Sequence, residues 1–81
     1  MKIQLIKGGF SGADATELIT ELIKVKIKFH ENKISKTHNE EDVKMRESRI
    51  KQLQNELQEV RKYINAKEGT IKLESIVDLS D

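Results

Sequence analysis

Two segments with a heptad pattern decide the fold of this chain: residues 15–29 read ATELITELIKVKIKF, and residues 50–64 read IKQLQNELQEVRKYI. Each places an apolar residue at every third or fourth position, the spacing of one helical face. The two patterns mirror each other about Asn39, so a chain folded back there pairs residues whose numbers add to 78 or 79. This predicts a coiled-coil helical hairpin. The predicted pairs are Phe29 with Ile50, Val25 with Leu53, Leu22 with Leu57, Leu18 with Val60, and Ala15 with Ile64.

The residues outside the hairpin predict one strand on each side of it. Apolar and polar residues alternate near both termini, and Ser11 and Asn39 are suitable N-caps for the helices. The predicted order is β-α-α-β, with a strand at about 2–7, helices at about 12–36 and 40–66, and a strand at about 70–79. We expect the strands to pair antiparallel, with Ile3 near Ile76; a slip of one residue is the alternative, because Gly8 and Gly9 permit it. The fold class is α+β, mainly helical, in a single domain over residues 1–81.

The composition limits the classes of function. The 81 residues carry 15 Lys plus Arg against 14 Asp plus Glu, a formal net charge of +1, which gives no general attraction to nucleic acid or to an anionic membrane. There is no cysteine, so disulfides and thiolate metal sites are excluded. No apolar run is long enough for a membrane span or a signal peptide. We therefore expect a cytoplasmic protein that does not bind membranes.

The first helix carries a second apolar stripe that the predicted hairpin does not cover. A partner helix covers one stripe only, and a row of isoleucines exceeds the usual exposed patch of a monomer. The sequence therefore predicts a homo-oligomer. Packing under the sheet and scattered exposure are the alternatives. The predicted interface residues are Ile19, Ile23, Ile27, His30 and Ile34.

A glycine-rich segment before the first helix is the candidate site for an anion. Free backbone N–H groups, the helix dipole and a nearby lysine can together hold a phosphate. The segment lacks the spacing of a Walker loop, and a plain strand-to-helix turn is the alternative. The candidate residues are Lys7, Gly8, Gly9, Phe10, Ser11, Gly12 and Arg61.

Five lysines make the end of the first helix basic. They are spread around the helix, and few aromatic residues are left for stacking on bases, so nucleic-acid binding is disfavoured. These lysines are Lys24, Lys26, Lys28, Lys33 and Lys36.

No group of residues predicts catalysis. His30 and His38 are the only histidines, and their spacing from carboxylates matches no recognised metal site. Nothing in the pattern places a nucleophile beside a base. We predict a protein that is not an enzyme and has no catalytic residues, metal or cofactor.

The sequence thus predicts a small homo-oligomeric helical-hairpin protein that acts through protein–protein contacts, as a binding or adaptor protein. Its expected partners are copies of itself, and another protein or a small anionic ligand is the further candidate. The alternative is an oligomer whose inter-subunit pockets sequester a small anionic ligand or nucleotide, such as a signalling molecule, as a phage-type inhibitor does. No motif is specific enough to name a family.

Overall fold

A computed structural model describes residues 1–81 and confirms the predicted β-α-α-β order. The elements are β1 (Lys2–Phe10), α1 (Gly12–Ile34), α2 (Glu40–Asn65) and β2 (Ile71–Asp78). The two strands form a two-stranded antiparallel sheet, and the two helices form the hairpin. The main difference in bounds is at β1, which continues three residues past its predicted end because it stays paired with β2 through the glycines.

Both helices begin at the predicted caps. The Ser11 hydroxyl accepts a hydrogen bond of 3.1 Å from the backbone N–H of Asp14. The Asn39 side-chain oxygen accepts one of 3.1 Å from the backbone N–H of Asp42. Each cap satisfies an N–H group that a helix start leaves without a partner in the helix.

The register of the sheet shows the one-residue slip that the sequence left open. Ile3 lies opposite Val77 rather than Ile76, and Phe10 lies opposite Ile71. The register shifts between Gln4 and Ile6, so Leu5 is the extra residue of a β-bulge. A bulge moves the pairing by one residue, and the alternating sequence pattern does not reveal it.

The register of the hairpin also differs, and this exchanges the two apolar faces of α1. The Arg46 guanidinium lies 3.0 Å from Nδ1 of His30, and a Cβ built on Gly12 would lie 3.4 Å from Ile64. Both contacts join residues whose numbers add to 76, not to 78 or 79. Successive residues lie about 100° apart around a helix. Shifting the pairing of the two helices by two or three residues therefore turns a different apolar stripe of α1 toward α2.

The residues predicted to form the oligomer interface therefore lie on the face of α1 that is turned toward α2. All five are partly buried within the single chain: Ile19, Ile23, Ile27, His30 and Ile34. By contrast, Val25 and Phe29, which were predicted to pack on α2, are 69% and 53% exposed. Ala15 is buried as predicted, but the assignment of Leu22, Val25 and Phe29 to the inside of the hairpin is wrong.

The buried core is small. Only Ala15, Thr20, Leu53 and Ile64 are buried among 81 residues, and no large side chain is fully enclosed. The chain extends 47 × 32 × 14 Å. A 26-residue helix is about 39 Å long and a nine-residue strand about 30 Å. Placed end to end, the helices and the two-stranded ribbon of β1 and β2 would exceed the longest dimension of 47 Å, so they do not lie end to end. The ribbon lies across the open end of a thin, flat molecule.

Candidate interaction surface

The most prominent surface feature is an apolar stripe on the side of α1 that faces away from α2. We call it the outer stripe, and its members follow one another at spacings of four, three and four residues, so they share one helical face. Leu22 is 38% exposed and Leu18 is partly buried. The four residues of the outer stripe are Leu18, Leu22, Val25 and Phe29.

The outer stripe continues onto the ribbon at its N-terminal end. Phe10, the last residue of β1, lies with Leu18 and Glu21 in one shallow cleft of about 380 Å³. Since β1 and α1 are joined by Ser11 alone, the ring of Phe10 is held next to the first turns of α1. The apolar surface therefore extends from the end of the ribbon along most of α1.

At the other end, the outer stripe is bordered by a cation. The Lys33 ammonium group lies 5.5 Å from the centroid of the Phe29 ring, within the range of a cation–π contact. The Phe29 ring also meets His30 edge to face, with centroids 5.9 Å apart. These contacts orient the ring of Phe29 without covering it.

Charges beside the outer stripe are divided along the helix. Asp14, Glu17 and Glu21 occupy its first half, whereas the second half carries a single acid, Glu31, and four lysines: Lys24, Lys26, Lys28 and Lys33. Glu21 and Lys28 are seven residues apart and lie on the same flank of the outer stripe. The surface of α1 is therefore acidic at one end and basic at the other.

The predicted anion site is not assembled as a loop. Lys7, Gly8, Gly9 and Phe10 all belong to β1 and lie in the ladder with β2, so the segment is extended rather than curled around a ligand. The remaining predicted residues lie elsewhere: Ser11 caps α1, Gly12 packs against Ile64, and Arg61 is exposed on α2.

The structure brings part of that set into a different cleft. Lys7, Gly8 and Gly9 line an open cleft of about 510 Å³ together with Lys72 and Glu74 of β2. Glu74 lies directly opposite Lys7 in the ladder. The cleft thus holds two ammonium groups and one carboxylate.

A polar cluster lies between the helices near the hairpin tip. Nε of Arg46 donates to the Asp42 carboxylate at 3.2 Å, and Nη1 of Arg46 lies 3.0 Å from Nδ1 of His30. Nε2 of His30 is buried and has no hydrogen-bond partner. The cluster connects α1 to α2 at the end opposite the ribbon, whereas the sequence analysis assigned His30 to the oligomer interface.

The remaining chemical features are few. No cluster of three or more histidine, aspartate or glutamate side chains is arranged to hold a metal ion. Neither helix has an apolar stretch long enough to cross a membrane. Comparisons of the chain with protein-family models, with curated proteins and with solved structures gave no match.

Proposed function

We propose that this chain is a small, non-enzymatic binding subunit that assembles with copies of itself through the outer stripe. The supporting observation is its accessible surface of 6610 Å². A compact monomer of 9.3 kDa exposes only about 5,000 Å². The excess of roughly 1,600 Å² falls within the roughly 1,000–2,500 Å² that each subunit loses in an obligate homodimer.

The shape of the chain supports the same proposal. Its radius of gyration is 15.2 Å, whereas a compact chain of this length has about 12 Å. A thin molecule with so few buried residues gains little stability from its own core. Since cysteine is absent, no disulfide adds to it. Burial of the outer stripe against a second copy is the contribution that we propose.

The charges of α1 favour a second copy as the occupant of this surface. When two α1 helices pack antiparallel, Leu22 of one faces Val25 of the other, and Leu18 faces Phe29. The acidic half of each helix then lies along the basic half of its partner. In this arrangement Glu21 lies beside Lys28 of the second copy, as flanking charges do in antiparallel coiled coils. Parallel packing would instead set the acidic half of one helix along the acidic half of the other, and the basic halves likewise.

The assembled protein would act as an adaptor in the cytoplasm. With the outer stripe covered, the surfaces left for another protein are the polar faces of α2 and of the ribbon. These carry exposed charged side chains, which favour specificity and rate of association over raw affinity.

The dependence of thermal stability on concentration tests the proposal. If folding is coupled to association, diluting the protein about 100-fold should lower its Tm by roughly 5–10 °C, since association contributes free energy that depends on protomer concentration. Circular dichroism at 222 nm measures this. A Tm that stays constant across the dilution series would contradict coupled folding and association.

Binding of a small anion is the second candidate function. Lys7 and Lys72 line one cleft, and assembly would place copies of this cleft in a single particle. Thermal shift against phosphate and nucleotides tests it. A rise in Tm that is lost in Lys7→Ala would support the ligand hypothesis, and no shift with any of these anions would count against it.

A further inference from the structure

We infer that the free edge of β2 pairs with the same edge of a second copy, forming a four-stranded antiparallel sheet across a two-fold axis near Ser75. The inference rests on the proposed self-association and adds a contact separate from the outer stripe. Its starting point is that the sheet has only two strands, so each strand has one unpaired edge. Two-stranded ribbons are marginal in water, and further strands stabilise them.

The two free edges of the ribbon are not equivalent. β1 carries the bulge at Leu5, and its Gly8 has a φ of 152°, a conformation that favours glycine. Bulges and distortions of this kind protect an edge from pairing with another chain. β2 reads IKLESIVD over Ile71–Asp78 and contains neither glycine, proline nor bulge. The regular edge available for pairing is therefore that of β2.

The charges of β2 select one register for the pairing. With Ser75 opposite Ser75 of the second copy, Lys72 faces Asp78 and Leu73 faces Val77 across the new strand pair. Within its own chain Lys72 lies opposite Gly9 and has no acidic partner there. Self-pairing therefore supplies the missing carboxylate at both ends of the contact. Opposite charges directly across a strand pair are stabilising.

Other registers also place the apolar side chains of both copies on the same face of the sheet, but they are less favourable. Centring the pair on Glu74 sets two glutamates directly opposite each other, and centring it on Ile76 sets Glu74 opposite Asp78. Like charges in these positions are destabilising. Centring it on Leu73 leaves only residues 71–75 of β2 in the overlap. The register centred on Ser75 combines the longest pairing with no like-charge contact.

This register also continues the apolar face of the ribbon. Val77 and Ile3 lie opposite each other in the ladder and are 39% and 40% exposed. Pairing at the edge of β2 sets Leu73 of the second copy next to Val77 on the same face. The apolar faces of the two ribbons would then form one continuous, wider apolar face.

Disulfide trapping tests the inference, and the absence of native cysteine makes the result unambiguous. Directly opposed residues of an antiparallel pair have Cα atoms about 4.5–5.5 Å apart, within disulfide range. Ser75→Cys should therefore form a covalent dimer under mild oxidation, at least about tenfold faster than Glu74→Cys. In the inferred register the two copies of residue 74 are about 8 Å apart, which is too far for a disulfide.

A second pair of variants tests the register at the predicted pairing of Leu73 with Val77 of the second copy. Leu73→Cys and Val77→Cys should form a disulfide with each other when mixed, and neither should form one alone. This experiment remains informative if Ser75→Cys does not fold. Circular dichroism and light scattering on the reduced samples report folding and assembly separately.

The outcomes distinguish the two proposals. A reduced sample with an oligomeric mass that gives no Ser75→Cys dimer and no mixed disulfide overturns the β2 contact while leaving self-association intact. Faster trapping in Glu74→Cys than in Ser75→Cys overturns the register. A monomeric reduced sample overturns the self-association on which the inference rests.

Discussion

Replacing Val25 and Phe29 together by glutamate is expected to dissociate the assembled protein into a smaller species. Both side chains are more than half exposed in the single chain, so the substitutions remove little packing from the hairpin itself. In the proposed contact they lose the burial of two apolar side chains and leave carboxylates in an apolar layer. We expect association to weaken by about 5 kcal/mol, or a few thousandfold in Kd.

Sedimentation velocity on the wild type and the variant at equal concentration measures this effect. The matched control is Met45→Glu with Tyr63→Glu, which places the same charges on two exposed side chains of α2, each 62% exposed. The control should keep the wild-type mass. If the Val25 and Phe29 variant also keeps it, the outer stripe is not the contact between copies.

Leu53→Ala is expected to unfold most of the protein. Leu53 lies on α2, is only 4% exposed and is one of three buried apolar residues in the chain. Truncating a buried leucine to alanine typically costs about 2–5 kcal/mol, which is comparable to the whole stability of a small domain. The helical signal at 222 nm should fall to that of a mostly unfolded chain at room temperature.

Leu5→Ala provides the matched control for this substitution. Leu5 is 53% exposed at the β-bulge, so the same truncation should cost less than about 1 kcal/mol. Both variants must be compared at one protomer concentration, because association contributes to apparent stability. Equal losses in urea unfolding would show that α2 is not held by the core described above.

The element order could be predicted from the sequence because its signals are local. Ser11 and Asn39 mark the helix starts by capping chemistry, and the heptad rows between them have the period of a helix. The end of β1 was missed because it depends on a contact that is distant in the sequence. Gly8 and Gly9 are typical of turns, yet glycine also adopts extended backbone, and only the pairing partner β2 decides between the two.

The faces of α1 could not be assigned from apolar spacing alone. Either stripe of α1 can be aligned with the apolar row of α2 at a suitable register. Two contacts mark the observed register: the polar contact of Arg46 with His30, and the close approach of Gly12 to Ile64. An apolar pattern takes account of neither contact. The prediction therefore identified an unpartnered face on α1 but assigned it to the isoleucines rather than to Leu22, Val25 and Phe29.

The mass of the wild-type protein in solution tests the central proposal most directly. The chain has a mass of 9.3 kDa. Sedimentation equilibrium over a range of loading concentrations should give a whole-number multiple of this mass at the higher concentrations, because the exposed surface of α1 is then covered by a second copy. A single species of 9.3 kDa at every concentration would contradict self-association of the chain.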